Sequence, residues 1–456
     1  MTTIRKFKWF YWLAATLVIV VSLSIPLLTD DKSVYLPGTT THGHHQIEMS
    51  CSSCHSSAFG GKEVLQNACV NCHGAELKAV DDSHPKSKFT DPRNAYRLEK
   101  LDARYCMTCH VEHRPEQTHA MGVTVADDFC FQCHADVADD RPSHKGMAFT
   151  SCATGGCHNF HDNTALYEDF LIKHLHEPDM LPQSHILQRD LRVAFETIAG
   201  FDMTPLSAAQ ADAPKGIHIQ AKDMKDWLTT AHAKSGVNCL DCHGVKETGV
   251  EKLKWVEQPG MESCKSCHVR ESEGFLQGKH GMRIEAGLSP MQVEWAKQPM
   301  RADVHERQLN CLSCHAVHEF NTRIASVDAC LDCHADKHSL AFKDSPHFRL
   351  FEDETAGKLA RGNGVSCATC HMPRTLHKGG DVEHVLVEHN QNLNLRPNEK
   401  MIRSVCMSCH GLGFSIDALA DKKLIENNFS GSAQKHVQSL DLAERRIGDK
   451  AKSQTK

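Results

Sequence analysis

CATCH, residues 367–371, has the spacing that decides the fold of this chain, because two cysteines three positions apart and a following histidine recur along its length. Ten such CxxCH motifs occur, whereas chance would give about a tenth of one at this cysteine and histidine content. Their first cysteines are Cys51, Cys69, Cys106, Cys130, Cys239, Cys264, Cys311, Cys330, Cys367 and Cys406. The motif is therefore the organising unit of the chain.

The histidine in each motif distinguishes between the kinds of site that cysteine pairs form. A disulfide framework needs no histidine after every second cysteine, and a zinc site needs four converging ligands. CxxCH is instead the attachment signature of c-type haem. The cysteines form thioethers with the two vinyl groups of the porphyrin, and the histidine beside them binds the iron. The ten motifs therefore predict covalently attached haem c.

The stretch CATGGCH, Cys152 to His158, is a longer variant with four residues between its cysteines. Its cysteines complete the count, because all 22 cysteines then fall in eleven motifs. Gly155 and Gly156 let the extra residues bulge without steric cost, and the variant is similar to sites in tetrahaem c3-type cytochromes. We predict eleven haems, or ten if Cys152 and Cys157 form a disulfide.

We number the motifs 1 to 11 in chain order, so that CATGGCH is motif 5 and the haem of each motif takes its number. The predicted attachment cysteines and proximal histidine of each motif are Cys51, Cys54 and His55; Cys69, Cys72 and His73; Cys106, Cys109 and His110; Cys130, Cys133 and His134; Cys152, Cys157 and His158; Cys239, Cys242 and His243; Cys264, Cys267 and His268; Cys311, Cys314 and His315; Cys330, Cys333 and His334; Cys367, Cys370 and His371; Cys406, Cys409 and His410.

The ratio of chain to haem predicts the fold class. Eleven haems in 456 residues leave about 41 residues for each haem, which is too little chain to bury a large apolar core. The haems must therefore form the core. We expect a mostly α-helical multihaem cytochrome c with extensive loops, short helices beginning at the motifs, one N-terminal transmembrane helix and no substantial sheet.

An apolar segment near the N-terminus predicts a membrane anchor. Residues 1–8 carry Arg5, Lys6 and Lys8, and residues 9–28 carry no charge. Twenty apolar residues span a bilayer as a helix, and a basic flank stays in the cytoplasm. We expect a single-pass inner-membrane protein with its body in the periplasm. The alternative is a cleaved signal peptide, although SIPLLTDD matches a cleavage site poorly.

The motifs fall in two groups, separated by a stretch without cysteine. We predict a cytoplasmic tail at 1–8, an anchor at 9–28, an N-terminal pentahaem domain at 29–162, a haem-free spacer at 163–230, a C-terminal hexahaem domain at 231–432 and a polar helical tail at 433–456. The two groups echo each other, since CMTCHVEH at 106–113 resembles CLSCHAVH at 311–318. Such an echo is expected of a chain built by multiplying haem-binding units.

Histidines outside the motifs are candidates for the second axial ligand of each iron. Twenty-two remain, twice as many as eleven haems require. His113, His161 and His318 follow a proximal histidine by three and share its helix face, so each should bind the iron of a neighbouring haem. The other candidates are His44, His144, His232, His280, His305, His338, His347 and His384, with His377 and His389 as further possibilities.

The chain from Asn238 to Gly431 resembles the superfamily of pentahaem nitrite reductases and octahaem hydroxylamine oxidoreductases. The resemblance rests on GVSCATCHMPR at 364–374, LRPNEKMIRSVCMSCHGL at 395–412 and ACLDCHADKHSLAFKDSPHF at 329–348. By motif order, it implies that the catalytic haem would be the one held by His268. Two departures weaken that implication: the nitrite reductases use a proximal lysine there, and no tyrosine follows Tyr167.

Two functions follow from these motifs. Haems with two histidine ligands relay electrons, which predicts a carrier between quinol, or a quinol-oxidising partner, and a periplasmic or outer-membrane acceptor. The alternative is an oxidoreductase of nitrogen or sulfur oxyanions or hydroxylamine, with an open iron at His268 and with Lys279 and Arg283 stabilising charge near His280. The net charge of −6 gives no reason to expect nucleic-acid binding.

Overall fold

The computed structural model describes residues 2–29, 31–57, 60–118, 122–126, 128–141, 144–146, 158–162, 166–188, 204–246, 253–319, 321–379, 382–395 and 400–454. Cys152 and Cys157 of motif 5 lie outside these ranges. Short helices and loops dominate the described part of the chain. The prediction of a mostly helical fold without a substantial sheet is therefore confirmed.

Twenty-three α-helices are described, and we number them in chain order. They are α1 (Thr2–Ser24), α2 (Cys51–Cys54), α3 (Lys62–Ala79), α4 (Lys86–Thr90), α5 (Ala95–Leu98), α6 (Val137–Asp140), α7 (Glu168–Lys173), α8 (Ala221–Thr229), α9 (Ala231–Lys234), α10 (Cys239–His243), α11 (Met261–Lys265), α12 (Val269–Gln277), α13 (Met282–Glu285), α14 (Thr322–Ser326), α15 (Asp328–Leu331), α16 (Lys337–Ala341), α17 (Pro346–Thr355), α18 (Cys367–His371), α19 (Asn392–Leu395), α20 (Lys400–Ser404), α21 (Leu412–Ala420), α22 (Lys422–Glu426) and α23 (Ser439–Gln454).

Strands are few in the described residues. β1 (Gly244–Val245) pairs antiparallel with β2 (Lys254–Trp255), and β3 (Arg374–Gly379) pairs antiparallel with β4 (Val382–Val387). In the second hairpin the register places His377 directly opposite His384. Both sheets are two-stranded hairpins, so they do not form a layer of the fold.

Most of the described motifs fold as a single helical turn, whereas motif 2 lies within the longer helix α3. The backbone N–H of the motif histidine donates to the carbonyl oxygen of the first cysteine, for example His268 to Cys264 at 2.8 Å and His410 to Cys406 at 2.8 Å. This is the i to i−4 bond of an α-helix. It places both cysteines and the histidine on consecutive sides of one turn, as attachment to one porphyrin requires. Helices begin at the first cysteine in α2, α10 and α18.

The N-terminal helix α1 is long and apolar enough to cross a membrane. Residues 9–28 have a mean hydropathy of 2.1 and none of that segment is buried. Two tryptophans, Trp9 and Trp12, pack edge to face at its start, with ring centres 6.0 Å apart. A signal sequence also has this length and composition, so the anchor remains a prediction.

The described chain divides into two compact units. The first comprises Met1–Thr154, Asn159–Thr164 and Ala286–Ser289, and the second comprises Gly155–His158, Ala165–Glu285 and Pro290–Lys456. An apolar cluster in the second unit joins α7, α20, α21 and α23. Its buried residues are Leu166, Leu171, Met401, Ile402, Leu412, Ile416, Leu419 and Ala443.

The polypeptide buries little of its own surface. Its atoms expose 29091 Å², whereas a compact protein of 50.8 kDa exposes about 17,000 Å². Much of the difference is expected to face haem, because loops without apolar packing partners surround the motifs. The prediction that haems form the core agrees with this excess.

The helix α23 is tied to α21 by His436. Its Nδ1 donates to Asp417 Oδ2 at 2.9 Å, and its Nε2 donates to Asp441 Oδ2 at 2.9 Å. These two carboxylates raise the pKa of His436 to about 9. The imidazolium therefore stabilises the attachment of α23 fully below the unfolded-state pKa of about 6.5, and this contribution is lost as the pH rises through about 9.

We therefore expect the amide-exchange protection factors of α23 to fall as the pH rises from about 6.5 to beyond 9. The His436→Gln variant supplies the control, because it lacks a titrating group at this position. Its α23 should be less protected than the wild type at neutral pH and should not show the same decline. Equal pH dependence in the two proteins would contradict the role of His436.

Candidate haem-binding sites

Proximal histidines of nine motifs face a second histidine. The two ring centres of each pair are 5.9–6.4 Å apart. With the proximal histidine first, the pairs are His73 with His44, His110 with His161, His134 with His84, His243 with His318, His268 with His232, His315 with His389, His334 with His280, His371 with His338, and His410 with His347.

This separation fits one iron between each pair of rings. An imidazole nitrogen binds a metal at about 2 Å, so two imidazoles on opposite sides of one metal have ring centres about 6 Å apart. No cluster of three or more His, Cys, Asp or Glu side chains surrounds a metal position in the described residues. That is expected where a porphyrin supplies the remaining ligands. Two axial imidazoles and two nearby cysteines are the protein groups that haem c needs.

Burial keeps several of these imidazoles neutral. It lowers the pKa of His280, His347 and His371 to about 4, with neighbouring histidines adding to the shift. A neutral imidazole presents a nitrogen lone pair, which an imidazolium lacks. His280, His347 and His371 are therefore in the protonation state that iron ligation requires.

Histidines three residues after a motif pair with the proximal histidine of another motif. His161 follows His158 of motif 5 and faces His110 of motif 3, with ring centres 6.4 Å apart. His318 follows His315 of motif 8 and faces His243 of motif 6 at 5.9 Å. Both stretches therefore place the histidine that follows a motif opposite the proximal histidine of another motif.

The second ring nitrogen of several axial histidines is fixed by a hydrogen bond. Backbone carbonyls accept from His243 at Val256 (2.8 Å), from His410 at Asp179 (2.9 Å) and from His389 at Val387 (2.9 Å). Such bonds set the tautomer, so that the other nitrogen points at the iron.

Two of the paired histidines donate to carboxylates instead. His44 Nδ1 lies 2.7 Å from Glu112 Oε1, and His161 Nδ1 lies 3.1 Å from Asp82 Oδ1. Burial alone would raise the pKa of Glu112, but hydrogen bonds from His44 and Thr41 outweigh it and lower the pKa to about 2. Glu112 is therefore an anion at neutral pH.

Sulfur atoms of consecutive motifs lie beside one another. The side chains of Cys69 and Cys106 are close neighbours in the first unit. In the second unit the same holds for Cys264 with Cys311 and for Cys330 with Cys367.

Electrostatic interactions, which reach further than a hydrogen bond, link the remaining neighbouring cysteines. They join Cys54 to Cys72, Cys242 to Cys264 and Cys267, Cys314 to Cys330 and Cys333, and Cys370 to Cys406 and Cys409. Motifs 1 to 3, and separately motifs 6 to 11, therefore adjoin in chain order. Each sulfur attaches to the edge of its porphyrin, so adjoining sulfurs place haem edges next to each other.

Other predicted ligands lie elsewhere in the described residues. His113 has a left-handed backbone (φ 62°), and its Nδ1 donates to the carbonyl of Gly38 at 2.9 Å. His305 lies in a loop, where its carbonyl accepts from Glu294 N at 3.1 Å. His377 and His384 are opposite each other in the backbone register of the β3–β4 hairpin and are not one of the nine ring pairs. His144 lies in a turn after α6, where its N–H donates to Arg141.

Residues of the enzymatic alternative have structural partners. His232 lies opposite His268, at 6.0 Å between ring centres. The guanidinium of Arg283 lies over the ring of Trp295, 4.6 Å from its centre. The backbone N–H of Lys279 donates to Gln391 Oε1 at 3.1 Å. His280, between these two cations in sequence, faces His334.

His84 was absent from the sequence-based candidates, although it faces His134 at 6.1 Å. It lies fifty residues before that histidine and has none of the spacings that marked the other candidates. Its ring stacks on Phe160, with centres 4.2 Å apart, and its Nδ1 donates to the Phe160 carbonyl at 2.5 Å. The contact that orients His84 is thus made by a residue distant in sequence.

The stretch between the two groups of motifs supports motif 11. The carbonyl of Asp179 accepts from His410, and Leu181 N donates to the Cys409 carbonyl at 2.8 Å. His185 N donates to the Ser408 carbonyl at 2.7 Å. The segment 166–188 therefore packs against motif 11 through backbone hydrogen bonds.

Gly278 lies where the segments carrying two axial histidines approach. Gly278 lies two residues before His280. A Cβ at Gly278 would come within 2.6 Å of Gln391 Oε1 and within 2.7 Å of the His389 carbonyl oxygen. We expect Gly278→Ala to shift these segments and to cost about 1–3 kcal/mol of stability. Urea unfolding followed by haem absorbance measures this as a lower midpoint.

Gly260→Ala is the matched control, because a Cβ at Gly260 would meet no atom within 4 Å. Its urea midpoint should equal that of the wild type. Equal urea midpoints for Gly278→Ala and Gly260→Ala would show that the segments around Gly278 have room for a Cβ atom.

Comparisons with known proteins agree with this geometry. The family model described as Cytochrome c3 matches residues 43–135 and 231–335. The chain is 24% identical over 247 residues to "Cytochrome c-552" of Haemophilus ducreyi. That alignment covers 44% of this chain and 46% of the relative, so it spans less than half the length of either protein. No solved structure matches.

The two matched segments contain four motifs each, motifs 1–4 and motifs 6–9. Together with the paired histidines, they show that the chain binds haem c. The prediction of haem c is therefore confirmed, and the chain is a multihaem c-type cytochrome.

Proposed function

We propose that this multihaem c-type cytochrome is an electron relay with eleven haems, each held between two histidines. The observation that carries the proposal is the set of nine histidine pairs with ring centres 5.9–6.4 Å apart. Haem iron between two imidazoles cycles between two oxidation states and has no free position for a substrate. The protein then has to hold such haems edge to edge.

The succession of sulfur contacts supports a relay in the second unit. Motifs 6 to 11 adjoin in chain order, through contacts such as those of Cys264 with Cys311 and of Cys330 with Cys367. A row of neighbouring haem edges gives an electron a path in short steps. An enzyme with one reacting haem requires only a path to that haem.

The repeated pairing order assigns a ligand to haem 1. In both groups of motifs, the second proximal histidine pairs with a histidine before the first motif: His73 with His44, and His268 with His232. The fourth pairs with a histidine between the second and third motifs: His134 with His84, and His334 with His280.

The third proximal histidine pairs with one beyond the fourth motif in each group. In the second group the first proximal histidine, His243, pairs with His318 of the CHxxH stretch in motif 8. The equivalent stretch in the first group is CMTCHVEH, which ends at His113. By this correspondence His113 is the distal ligand of the iron bound by His55.

The physiological setting is also part of the proposal. The apolar segment at residues 9–28 would anchor the protein in the inner membrane as a single pass, with the haem-bearing body in the periplasm. Electrons would enter from quinol or a quinol-oxidising partner and leave to a periplasmic or outer-membrane acceptor. Basic residues Arg5, Lys6 and Lys8 on the N-terminal side support this orientation.

The alternative is an oxidoreductase acting on nitrogen or sulfur oxyanions or hydroxylamine at one open haem. His232 occupies the distal side at His268, where the resemblance to nitrite reductases placed the reaction. Among the described residues, the exposed His55 has no ring partner like those of the nine pairs. His158 also lies outside the nine pairs, so haems 1 and 5 are the positions at which this alternative would require an open iron.

Film voltammetry of the full-length protein separates the two functions. A relay gives reversible reduction and oxidation waves that nitrite, hydroxylamine and sulfite leave unchanged. In liposomes, reduction of the haems by a quinol analogue alone would indicate quinol as the donor, and reduction only with an added quinol-oxidising enzyme would indicate a partner protein. A catalytic current with any of these substrates contradicts the relay and supports the alternative.

A further inference from the structure

Two carboxylates in the first unit hold axial histidines of neighbouring haems. Glu112 lies two residues after His110, a ligand of haem 3, yet its Oε1 accepts from His44, a ligand of haem 2, at 2.7 Å. Asp82 lies two residues before His84, a ligand of haem 4, yet its Oδ1 accepts from His161, a ligand of haem 3, at 3.1 Å. Each carboxylate therefore links two haems.

Both carboxylates are fixed by further donors. Thr41 donates to Glu112 from its backbone N–H and from its hydroxyl, each at 2.8 Å. The backbone N–H of His84 donates to Asp82 Oδ1 at 3.2 Å. The bond from Ser83 N to the His161 carbonyl, at 2.8 Å, holds the two segments together. The anions consequently keep a defined position beside the imidazoles.

The second group of motifs has no charge at the equivalent positions. CLSCHAVH places Val317 where CMTCHVEH has Glu112. Asp82 lies two residues before His84 in the first group. The residue two before the equivalent His280 in the second group is Gly278. The pairing of axial histidines is repeated in the second group, whereas the two carboxylates are present only in the first.

We infer that Glu112 and Asp82 lower the reduction potentials of haems 2 and 3. A carboxylate that accepts the N–H of an axial imidazole makes that ligand more basic and favours the ferric, more positively charged iron. Glu112 and Asp82 are positioning residues, since they act through His44 and His161. Haems 2 and 3 then form a low-potential pair within the first unit. The inference rests on the two-histidine ligation in the proposed function.

Potentiometric titration of the full-length holoprotein tests this inference. We expect Glu112→Gln to raise the ferrous-to-ferric ratio of one haem about tenfold at a fixed low potential, a shift of 59 mV for a one-electron couple. Asp82→Asn should do the same for a second haem. Glu112→Asp and Asp82→Glu keep the charge and should restore most of the original potential.

Glu63→Gln is the matched control, because Glu63 lies in the same unit and is bound by Lys86 and Tyr105 without contacting an axial histidine. It should leave the low-potential wave unchanged. The inference is overturned if Glu112→Gln and Asp82→Asn shift the titration no more than Glu63→Gln does. Loss of a haem or a new high-spin signal in these variants also overturns it, because the carboxylates would then only hold the histidines in place. Two or more high-spin haems in the wild type would instead contradict the relay.

Discussion

The chain made without haem attachment is expected to remain largely unfolded. Its polypeptide exposes 29091 Å², about 12,000 Å² more than a compact protein of its mass, because the surfaces around the motifs have no apolar partner of their own. Where a prosthetic group completes the core, its binding free energy is folding free energy. The apolar cluster of α7, α20, α21 and α23 is too small to fold both units.

The comparison uses the full-length chain produced in the cytoplasm, where c-type haem is not attached, and the exported protein as control. We expect the haem-free chain to lose roughly half or more of its helical circular dichroism and its resistance to proteases. Protection should persist longest around Leu412 and Ile402, which lie in that cluster. A haem-free chain with the helix content and resistance of the holoprotein would contradict a haem-built core.

Removing His338 is expected to convert one haem from low spin to high spin. His338 lies on α16 with its ring centre 6.0 Å from that of His371, and its Nδ1 donates to the Ile425 carbonyl. In His338→Gly the iron of haem 10 loses one axial ligand but stays attached through Cys367 and Cys370. A high-spin absorption band and binding of cyanide at one haem per chain report the change.

His384→Gly is the control, because His384 faces His377 in the hairpin. It should leave the spin state and the cyanide titration as in the wild type. The same measurements on His113→Gly test the assignment of haem 1. If His338→Gly remains fully low spin, or if His384→Gly opens a haem, the pairing described for these histidines is wrong.

Local sequence was sufficient to predict the motifs and the turn that each forms. The bond from His268 N to the Cys264 carbonyl is set by neighbours in the chain. Helix geometry also explains why His161 and His318 pair with another motif, since residues three apart share one face. These features need no knowledge of distant contacts.

Which distal histidine serves which haem could not be predicted in this way. His84 reaches His134 because Phe160 stacks on it, and those three residues are far apart in sequence. Likewise, nothing local distinguishes His389, which faces His315, from His384, five residues earlier. The β3–β4 register makes His384 the cross-strand neighbour of His377 and leaves His389 beyond the strand.

The stretch between the two groups shows a similar limit. Having no cysteine, it was interpreted as a spacer, and sequence offered no partner for it. In the structure Asp179 and Leu181 bond to the turn of motif 11, while Leu166 and Leu171 enter the apolar cluster. Backbone carbonyls and N–H groups make the contacts to motif 11. Because any residue supplies these groups, the amino-acid sequence does not reveal which residues make the contacts.

Electron paramagnetic resonance of the oxidised protein, with haem counted by pyridine haemochrome and intact mass, tests most directly whether histidine pairs hold the haems. The account predicts eleven haems per chain, or ten if motif 5 is a disulfide, of which at least nine are low spin with two imidazole ligands and at most one is high spin. Two or more high-spin haems, or a folded protein without haem, would contradict it.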